Sequence, residues 1–333
     1  MSAPGPAPDP LHDPSGTCAV NAAWSVSAPS RFWSDWSARD FVHLRAHGGI
    51  DEAVAVLPIA AIEQHGPHLP VSVDSTLTEG VIRASLAHLP ASACVLFLPT
   101  QSVGKSNEHL RFPGTLTLGA DTLARVWFDL GACVARAGFR RLLFLNGHGG
   151  QVALMETVAR DLRVELGLLT LSSSWFTLPM AEEVRALFTA QEHRFGIHAG
   201  DIETSMMLAL APHTVRMEYA DHFASSSIQR ARDYPLLGQG AARLAWQMQD
   251  LHPMGAAGNA SIATAAKGEA VIEDAGRKLA ALLLEVARLP LHTLRDTTGW
   301  SEDQGGTAGR VADAHDARGM VAAGGGTSPE ARP

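Results

Sequence analysis

Four short apolar runs alternate with helix-length segments through the middle of this chain. The runs cover residues 53–59, 94–98, 141–145 and 168–172. Between them, segments 76–89, 121–137 and 152–166 repeat their apolar residues every three to four positions, as a helix packed on one face does. Strands that alternate with helices of this length form right-handed βαβ units. The sequence therefore predicts an α/β fold with a mostly parallel sheet and helices on both of its faces.

The two ends of the chain differ in composition from this region. Residues 1–28 are rich in Pro, Ala and Ser, and residues 301–333 are rich in Gly, Ala and Asp. Neither end has periodic apolar residues, so we predict disordered tails. No internal repeat or linker interrupts residues 29–300, which predicts a single domain. Further helices are predicted at 31–47, 206–210, 238–251 and 265–289.

Charge and cysteine content limit the class of partner. The formal net charge is −8 and no long Lys/Arg cluster is present, so nucleic-acid binding is not expected. No window is apolar enough to span a bilayer, and the N-terminus lacks the basic start and apolar core of a signal peptide. Cys18, Cys94 and Cys133 are too scattered to form a disulfide framework. We therefore predict a cytoplasmic protein that binds neither membranes nor nucleic acids.

A dense cluster of carboxylate and imidazole side chains follows the first apolar run. It consists of Glu63, His65, His68 and Asp74. Because residues 53–61 are nearly all apolar, the loop begins where a buried strand ends, and such loops on α/β sheets carry ligand sites. These residue types together indicate a metal site. A solvated polar loop is the alternative interpretation.

Two further loops carry similar chemistry. Glu108 and His109 lie in a long segment that has no helical or strand period and follows the second apolar run. His148 lies in the glycine-rich turn 146–151, between a predicted strand and a predicted helix. Glycines in such a turn let the backbone approach either an anion or a metal-bound ligand, and the central histidine favours the metal.

A fourth loop leads into an apolar helix. Glu203 lies in the first turns of the helix that contains residues 206–210, all of which are apolar. Burying an unpaired carboxylate there would be costly, and a bound cation would remove that cost. This favours Glu203 as a metal ligand. The alternatives are that it complements the helix N-terminus or pairs with an arginine.

Together these loops suit an open catalytic metal site. Carboxylates and imidazoles without thiolates favour Zn, Mn or Fe. With several candidate ligands and one carboxylate able to bridge, the natural arrangement is two divalent ions about 3.5–4 Å apart, with Asp74 between them. Such ions activate a water and polarise a carbonyl, which indicates hydrolysis of a C–N bond. His198 is the candidate for protonating the leaving nitrogen.

The order of these motifs resembles the creatininase family of amidohydrolases over most of residues 30–290. The motifs are Glu63-Gln64-His65-Gly66-Pro67-His68-Leu69-Pro70, then Asp74, His109 before Phe112-Pro113-Gly114-Thr115, Asn146-Gly147-His148-Gly149-Gly150, and His198 with Glu203. Family members have a mostly parallel sheet, bind two divalent metals and commonly form hexamers. The resemblance implies a homohexamer in which His198 takes part in proton transfer or substrate contact. It also implies four metal ligands, namely Glu63, His65, Asp74 and His148.

One departure from the creatinine hydrolases proper changes the expected ligand set. Those enzymes carry a tyrosine and a metal-binding glutamate directly after the histidine ligand, where this chain has Gly149 and Gly150. Resemblance to the Gly-Gly branch of the family implies that Glu203 supplies the missing ligand and takes part in catalysis. The expected substrate contacts are then Glu108, His109 and Gly149.

We therefore predict a two-metal amidohydrolase that acts on a small or cyclic amide. Within the family, the alternatives are creatinine hydrolysis itself, a formamide hydrolase of flavin or deazaflavin biosynthesis, and a peptidase of mycofactocin maturation. Outside it, the alternatives are a metal-binding protein without catalysis and a nucleotide-binding α/β protein that uses residues 146–151 as a phosphate loop. The last is weaker because no acidic ribose-binding residue follows at the expected place.

Overall fold

The computed structural model describes residues 29–47 and 49–298. The predicted tails, 1–28 and 301–333, lie outside these residues together with the last two residues of the predicted domain, so the domain boundaries stay a prediction. The described residues up to Thr293 form one compact unit, and the described part of the second unit, 294–298, contains no helix or strand. Among the helices of the described chain, we find none with the length and apolarity needed to cross a bilayer.

A four-stranded parallel sheet forms the centre of the compact unit. Its strands are β1 (Val54–Ile59), β2 (Val95–Phe97), β3 (Arg141–Asn146) and β4 (Leu169–Ser174), in the order β2-β1-β3-β4. β1 and β3 are buried along their whole length, which explains why their sequences are apolar runs and not alternating patterns. The four predicted strands are confirmed. Because the strands are parallel, their carboxyl ends lie at one edge of the sheet.

Helices cover both faces of this sheet, as predicted. They are α1 (Ala38–Ala46), α2 (Val73–Leu86), α3 (Ala120–Ala137), α4 (Val152–Leu166), α5 (Glu182–Arg185), α6 (Ala190–Phe195), α7 (Asp201–Leu210), α8 (Ser226–Asp233), α9 (Pro235–Gly238), α10 (Met248–Leu251) and α11 (Ala265–Arg288). A second, antiparallel sheet pairs β5 (His222–Phe223) with β6 (Gly258–Asn259).

Two hydrophobic cores lie on opposite faces of the main sheet. Val54 and Val56 enter the core that is completed by α2, α7 and α11. Ala55 and Leu57 enter the core completed by α3 and α4, where Trp127 is fully buried. Successive strand side chains point to opposite faces, so a strand covered on both sides needs apolar residues at every position. This layering confirms the predicted α/β fold class.

The boundaries of the first helix depend on a cap. Ser37 accepts a hydrogen bond from the backbone N–H of Asp40, and Asp40 accepts one from the backbone of Ser37, so α1 begins after Ser37. Residues Trp33–Asp35 form a separate 3-10 turn. The helix predicted over 31–47 is therefore shorter than expected at its start.

The long helix predicted over 238–251 is wrong. Gly240 adopts φ 82°, a left-handed conformation that interrupts a helix, and a new capping box at Gln247 and Asp250 starts α10. Leu244 stays 54% exposed between them. Leu244 therefore contributes no core contact, only α10 at the end of the stretch is helical with buried side chains, and apolar spacing alone does not form a helix.

Candidate metal centre

Acidic and histidine side chains from separate segments meet at the carboxyl edge of the sheet. The loop after β1 supplies Glu63 and His65, and Asp74 lies in the first turn of α2. The turn after β3 supplies His148, and Glu203 lies in the first turn of α7. The fold thus brings together the residues that the sequence predicted as metal ligands, at the edge of the sheet where α/β proteins bind their ligands.

Glu63, Asp74 and His148 form one group that could hold a metal ion. The Nδ1 atom of His148 lies 3.2 Å from Glu63 Oε2 and 3.4 Å from Asp74 Oδ2. All three residues are buried. Two carboxylates and one imidazole are a ligand set suited to Zn, Mn or Fe.

His65, Asp74 and Glu203 form a second such group. The Nε2 atom of His65 lies 3.4 Å from Asp74 Oδ1 and 3.9 Å from Glu203 Oε2. Asp74 therefore turns Oδ2 toward the first group and Oδ1 toward the second. A carboxylate placed in this way has the geometry needed to bridge two ions.

Three buried atoms of this centre have no hydrogen-bond partner. They are Glu63 Oε2, Asp74 Oδ2 and His65 Nε2. Buried polar atoms in native proteins are normally hydrogen-bonded, because leaving them unpaired costs free energy. Lone pairs from these three atoms converge on the same space, so the residues present fit divalent cations.

Hydrogen bonds to the backbone fix the orientation of both imidazole rings. His65 Nδ1 lies 3.0 Å from the carbonyl oxygen of Glu63, and His148 Nε2 lies 3.0 Å from the carbonyl oxygen of Lys105. A ring nitrogen that contacts a carbonyl must donate, so each ring turns its other nitrogen toward the carboxylates. This arrangement is typical of histidines that bind metals.

The charges of the centre depend strongly on one another. Burial, the largest single cause, and the charge of Asp74 would raise the pKa of Glu63, but the charge and hydrogen bond of His148 together with the charge of His109 lower it to about 2. Burial likewise opposes the charge of His65, but Asp74 and the other carboxylates raise its pKa to about 9. Burial dominates at Glu203 and raises its pKa to about 7. A cation that enters this centre therefore has to displace protons, which makes its binding stronger as the pH rises.

The glycine-rich turn after β3 is shaped by close contacts. A Cβ at Gly147 would overlap the hydroxyl of Thr78 on α2. The Asn146 amide donates to the His148 carbonyl at 2.7 Å and accepts from Gln151 Nε2 at 2.9 Å. Gln151 also accepts the backbone N–H of Lys105 at 3.2 Å. These buried amides tie the turn to the loop after β2.

The two glycines after His148 provide a matched pair of substitutions. A Cβ at Gly150 would overlap Glu108 Oε1 and lie 2.5 Å from His148 Nε2, whereas a Cβ at Gly149 would have no atom within 4 Å. We expect Gly150→Ala to lower metal affinity about 10–100-fold, as disturbing the support of a ligand does. We expect Gly149→Ala to bind metal like the wild type. Titration calorimetry measures both, and equal affinities for the two variants would contradict this prediction.

His198 lies beside the centre with its ring held by the backbone. Its Nε2 donates to the carbonyl oxygen of Gln64 at 2.7 Å, and its Nδ1 lies 3.8 Å from Glu63 Oε1. Burial, followed by the positive charges of His65 and His109, lowers the pKa of His198 well below its usual value. The ring is therefore neutral at neutral pH, with the lone pair of Nδ1 on the side of the carboxylates.

Gln64, which the sequence analysis did not select, connects the neighbouring histidines. Its side-chain oxygen accepts the N–H of Gly66 at 3.0 Å, which fixes the direction of the amide. Its Nε2 therefore donates to His109 Nδ1 at 2.8 Å. His109 then carries its proton on Nε2, which lies 3.4 Å from Glu63 Oε1.

A strained residue separates His198 from α7. Ala199 has φ 53°, which is uncommon for a residue with a side chain. Its N–H donates to the carboxylate of Glu203. Backbone strain of this kind persists where the surrounding structure holds it, often at functional sites. Here it places His198 and Glu203 next to the same centre.

His68, the remaining histidine of the first loop, joins neither ligand group in the described part of the chain. Its Nε2 lies 2.9 Å from the hydroxyl of Thr204, and its ring stacks on Phe223 with centroids 5.5 Å apart. Burial lowers its pKa to about 4. These contacts indicate a role in packing α7 against the loop.

A cavity of about 440 Å³ opens onto the centre. Glu108, His109 and Gly149, the predicted substrate contacts, all line it. Its walls also include aromatic residues from segments without a recognisable motif, namely Trp175, Phe176 and Trp246. From the sequence these residues cannot be told apart from aromatic residues of the core. Their place at the cavity depends on the fold.

Glu192 is a further residue that sequence reasoning missed. It is buried, and its carboxylate accepts backbone N–H groups from Ile202 and Asn259. A Cβ at Gly196 or Gly200 would overlap this carboxylate. Glu192 thus holds together both ends of the segment that carries His198.

The family model described as creatinine amidohydrolase matches residues 43–283. The chain belongs to the creatininase family. The resemblance inferred from the sequence is thereby confirmed, and with it the prediction of a hydrolase family; its members include a peptide peptidase and a creatinine amidohydrolase.

Two relatives show how the match is distributed. The mycofactocin precursor peptide peptidase of Mycobacterium tuberculosis H37Rv is 34% identical over 171 residues, which cover 49% of this chain and 61% of that protein. The chain thus matches about six tenths of that creatininase-family peptidase. The creatinine amidohydrolase of Pseudomonas putida is 29% identical over 212 residues, which cover 60% of this chain and 77% of that protein.

Solved creatininases have the same fold. A structure described as creatininase Mn has a TM-score of 0.61 and 23% identity, and covers 78% of this chain and 100% of its own. A mutant creatininase of Zn-Zn type has a TM-score of 0.62 and 24% identity. The match covers 78% of this chain and 99% of the chain of that structure. At this level of identity the likeness establishes the fold alone.

Proposed function

We propose that this protein is a hydrolase that uses two divalent cations to cleave the C–N bond of an amide. The observation that carries the proposal is Asp74, whose two carboxylate oxygens face two separate ligand groups. Glu63 and His148 would complete the site of one cation, and His65 and Glu203 that of the other. The ligand chemistry suits Zn, Mn or Fe, and the Mn and Zn-Zn forms of solved creatininases support this choice.

A side chain beside the centre would accept and then donate the proton that the reaction transfers. When bound, the cations would supply a water of lowered pKa and polarise the substrate carbonyl. His198 is held by its Nε2–H on the carbonyl of Gln64, so Nδ1 alone is available to react. Nδ1 would accept the proton of the attacking water and pass it to the leaving nitrogen. Trp175 and Trp246 would limit the access of bulk water from the cavity walls.

The substrate class that we propose is a small or cyclic amide, with Glu108, His109 and Gly149 as contacts. A second candidate is a peptide bond of a short peptide. Two observations favour it: the curated relatives named as mycofactocin precursor peptide peptidases, and the open space beside Gly149. Creatinine hydrolases proper carry a tyrosine where this chain has Gly149, and its side chain would occupy that space. The homohexamer and the cytoplasmic location stay predictions.

Metal content and turnover test the proposal together. Protein purified without added metal should contain about two divalent ions per chain by plasma mass spectrometry, as a two-metal centre requires. Turnover should be sought on creatinine, cyclic ureides, formamides and short peptides. A chelator should abolish it, and added Zn, Mn or Fe should restore it.

Three outcomes would contradict the proposal. Full turnover of the metal-free protein would exclude the metal-dependent reaction. Bound metal without hydrolysis of any substrate class would favour the metal-binding alternative. A thermal shift with nucleotides that does not depend on metal would favour the nucleotide-binding alternative.

A further inference from the structure

Glu108 contacts the His148 ring at the nitrogen that does not face Glu63 and Asp74. Its Oε1 is 3.2 Å from His148 Nε2, whereas His148 Nδ1 faces Glu63 and Asp74. The Glu108 side chain is 12% exposed, so its charge is largely removed from water. The His148 ring therefore has carboxylates near both of its nitrogens, and Glu108 also lies close enough to Glu63 and His109 to form a further possible ligand group.

The loop that carries Glu108 is fixed on the N-terminal side of this residue. Glu108 is the middle residue of the 3-10 turn Asn107–His109. The N–H of Ser106 donates to the Thr117 hydroxyl at 2.9 Å, and the N–H of Lys105 donates to Gln151. The carboxylate also fills the volume that a side chain at position 150 would need. Its place beside His148 is therefore set by several independent contacts.

A negative charge at Nε2 changes the other nitrogen of the ring. The Lys105 carbonyl already requires a proton on His148 Nε2. A carboxylate 3.2 Å from this nitrogen attracts its proton electrostatically, which makes Nδ1 a stronger electron donor and favours one orientation of the ring. Both effects strengthen binding of a cation at Nδ1.

We propose that Glu108 is a positioning residue that orients His148 and strengthens it as a metal ligand. The inference rests on the proposed function, because it takes His148 to bind a cation. It differs from the predicted substrate contact of Glu108, since a positioning residue changes metal affinity even when no substrate is present.

The test compares Glu108→Ala and Glu108→Gln with the wild type, and uses the exposed Glu182→Gln as a matched control. Co²⁺ affinity is measured by calorimetry, and the visible spectrum of the Co²⁺-loaded protein reports on its ligands. We expect Glu108→Ala to weaken one Co²⁺ site about 10–100-fold without changing the number of ions bound. Glu108→Gln should lose less Co²⁺ affinity, because its amide oxygen keeps a partial negative charge near Nε2–H. The spectrum should change in Glu108→Ala, while the melting temperature of the metal-free protein should not.

Other results would overturn the inference in distinct ways. Unchanged Co²⁺ affinity with a raised KM would make Glu108 a substrate contact only. The loss of one ion per chain would make it a direct ligand. A metal-free Glu108→Ala protein that melts well below the wild type, with Glu108→Gln no better, would make its role structural. Wild-type protein that binds no Co²⁺ would contradict the proposed function itself and this inference with it.

Discussion

Asp74→Asn should abolish binding of at least one cation and lower kcat/KM by about three orders of magnitude or more. Asp74 is the one residue shared by both ligand groups that face each other across the centre. Stabilisation by metal ions contributes several kcal/mol to such reactions, and each 1.36 kcal/mol corresponds to a factor of ten in rate. Asparagine keeps the shape of the side chain, so the loss reflects the missing charge.

The matched control for this substitution is Asp121→Asn. Asp121 also lies in the first turn of a helix, α3, but it is exposed and far in sequence from the ligand segments. Metal content and turnover should stay at wild-type values in the control, and circular dichroism should show the same helix content in both variants. An Asp74→Asn protein that keeps two ions and full turnover would refute the two-metal proposal.

His198→Ala should lower turnover about 10²–10⁴-fold while metal content stays the same. The reason is that His198 lies outside the two groups that share Asp74, yet its Nδ1 faces Glu63. Turnover and plasma mass spectrometry on the same sample separate a loss of proton transfer from a loss of bound metal. The exposed His213→Ala serves as the control and should behave as the wild type.

The metal content of the His198→Ala protein decides between two roles. Glu63, His65 and His198 also lie close enough to hold an ion together. If the variant loses an ion together with its turnover, His198 is a ligand and the proton-transfer role is wrong. If it keeps both ions and its full turnover, His198 has no part in the reaction.

The parts of this protein that the sequence predicted are those that depend on local pattern. β1 and β3 are apolar along their whole length because both of their faces are covered, so their positions could be predicted from composition, whereas β4 is only partly buried and ends in serines. His148 was recognisable because glycines surround it. Glu203 was recognisable because burying an unpaired carboxylate in so apolar a helix would be costly.

The parts that the sequence could not predict depend on contacts between distant segments. Gln64 and Glu192 act through hydrogen bonds to residues far along the chain. Trp246 reaches the cavity from an irregular stretch that has the apolar spacing of a helix. The same limitation produced the wrong helix over 238–251, because periodicity does not show whether a partner surface exists.

The buried amides of Asn146 and Gln151 have a consequence for the order of folding. They join the turn at His148 to Ala60 after β1 and to Lys105 after β2. These segments meet only once the strands have paired, so an unfolded chain contains no assembled site for a cation. Metal would then bind almost solely to the native state and stabilise it in proportion to the logarithm of the metal concentration. Retention of metal through purification would therefore distinguish fully folded molecules from misfolded ones.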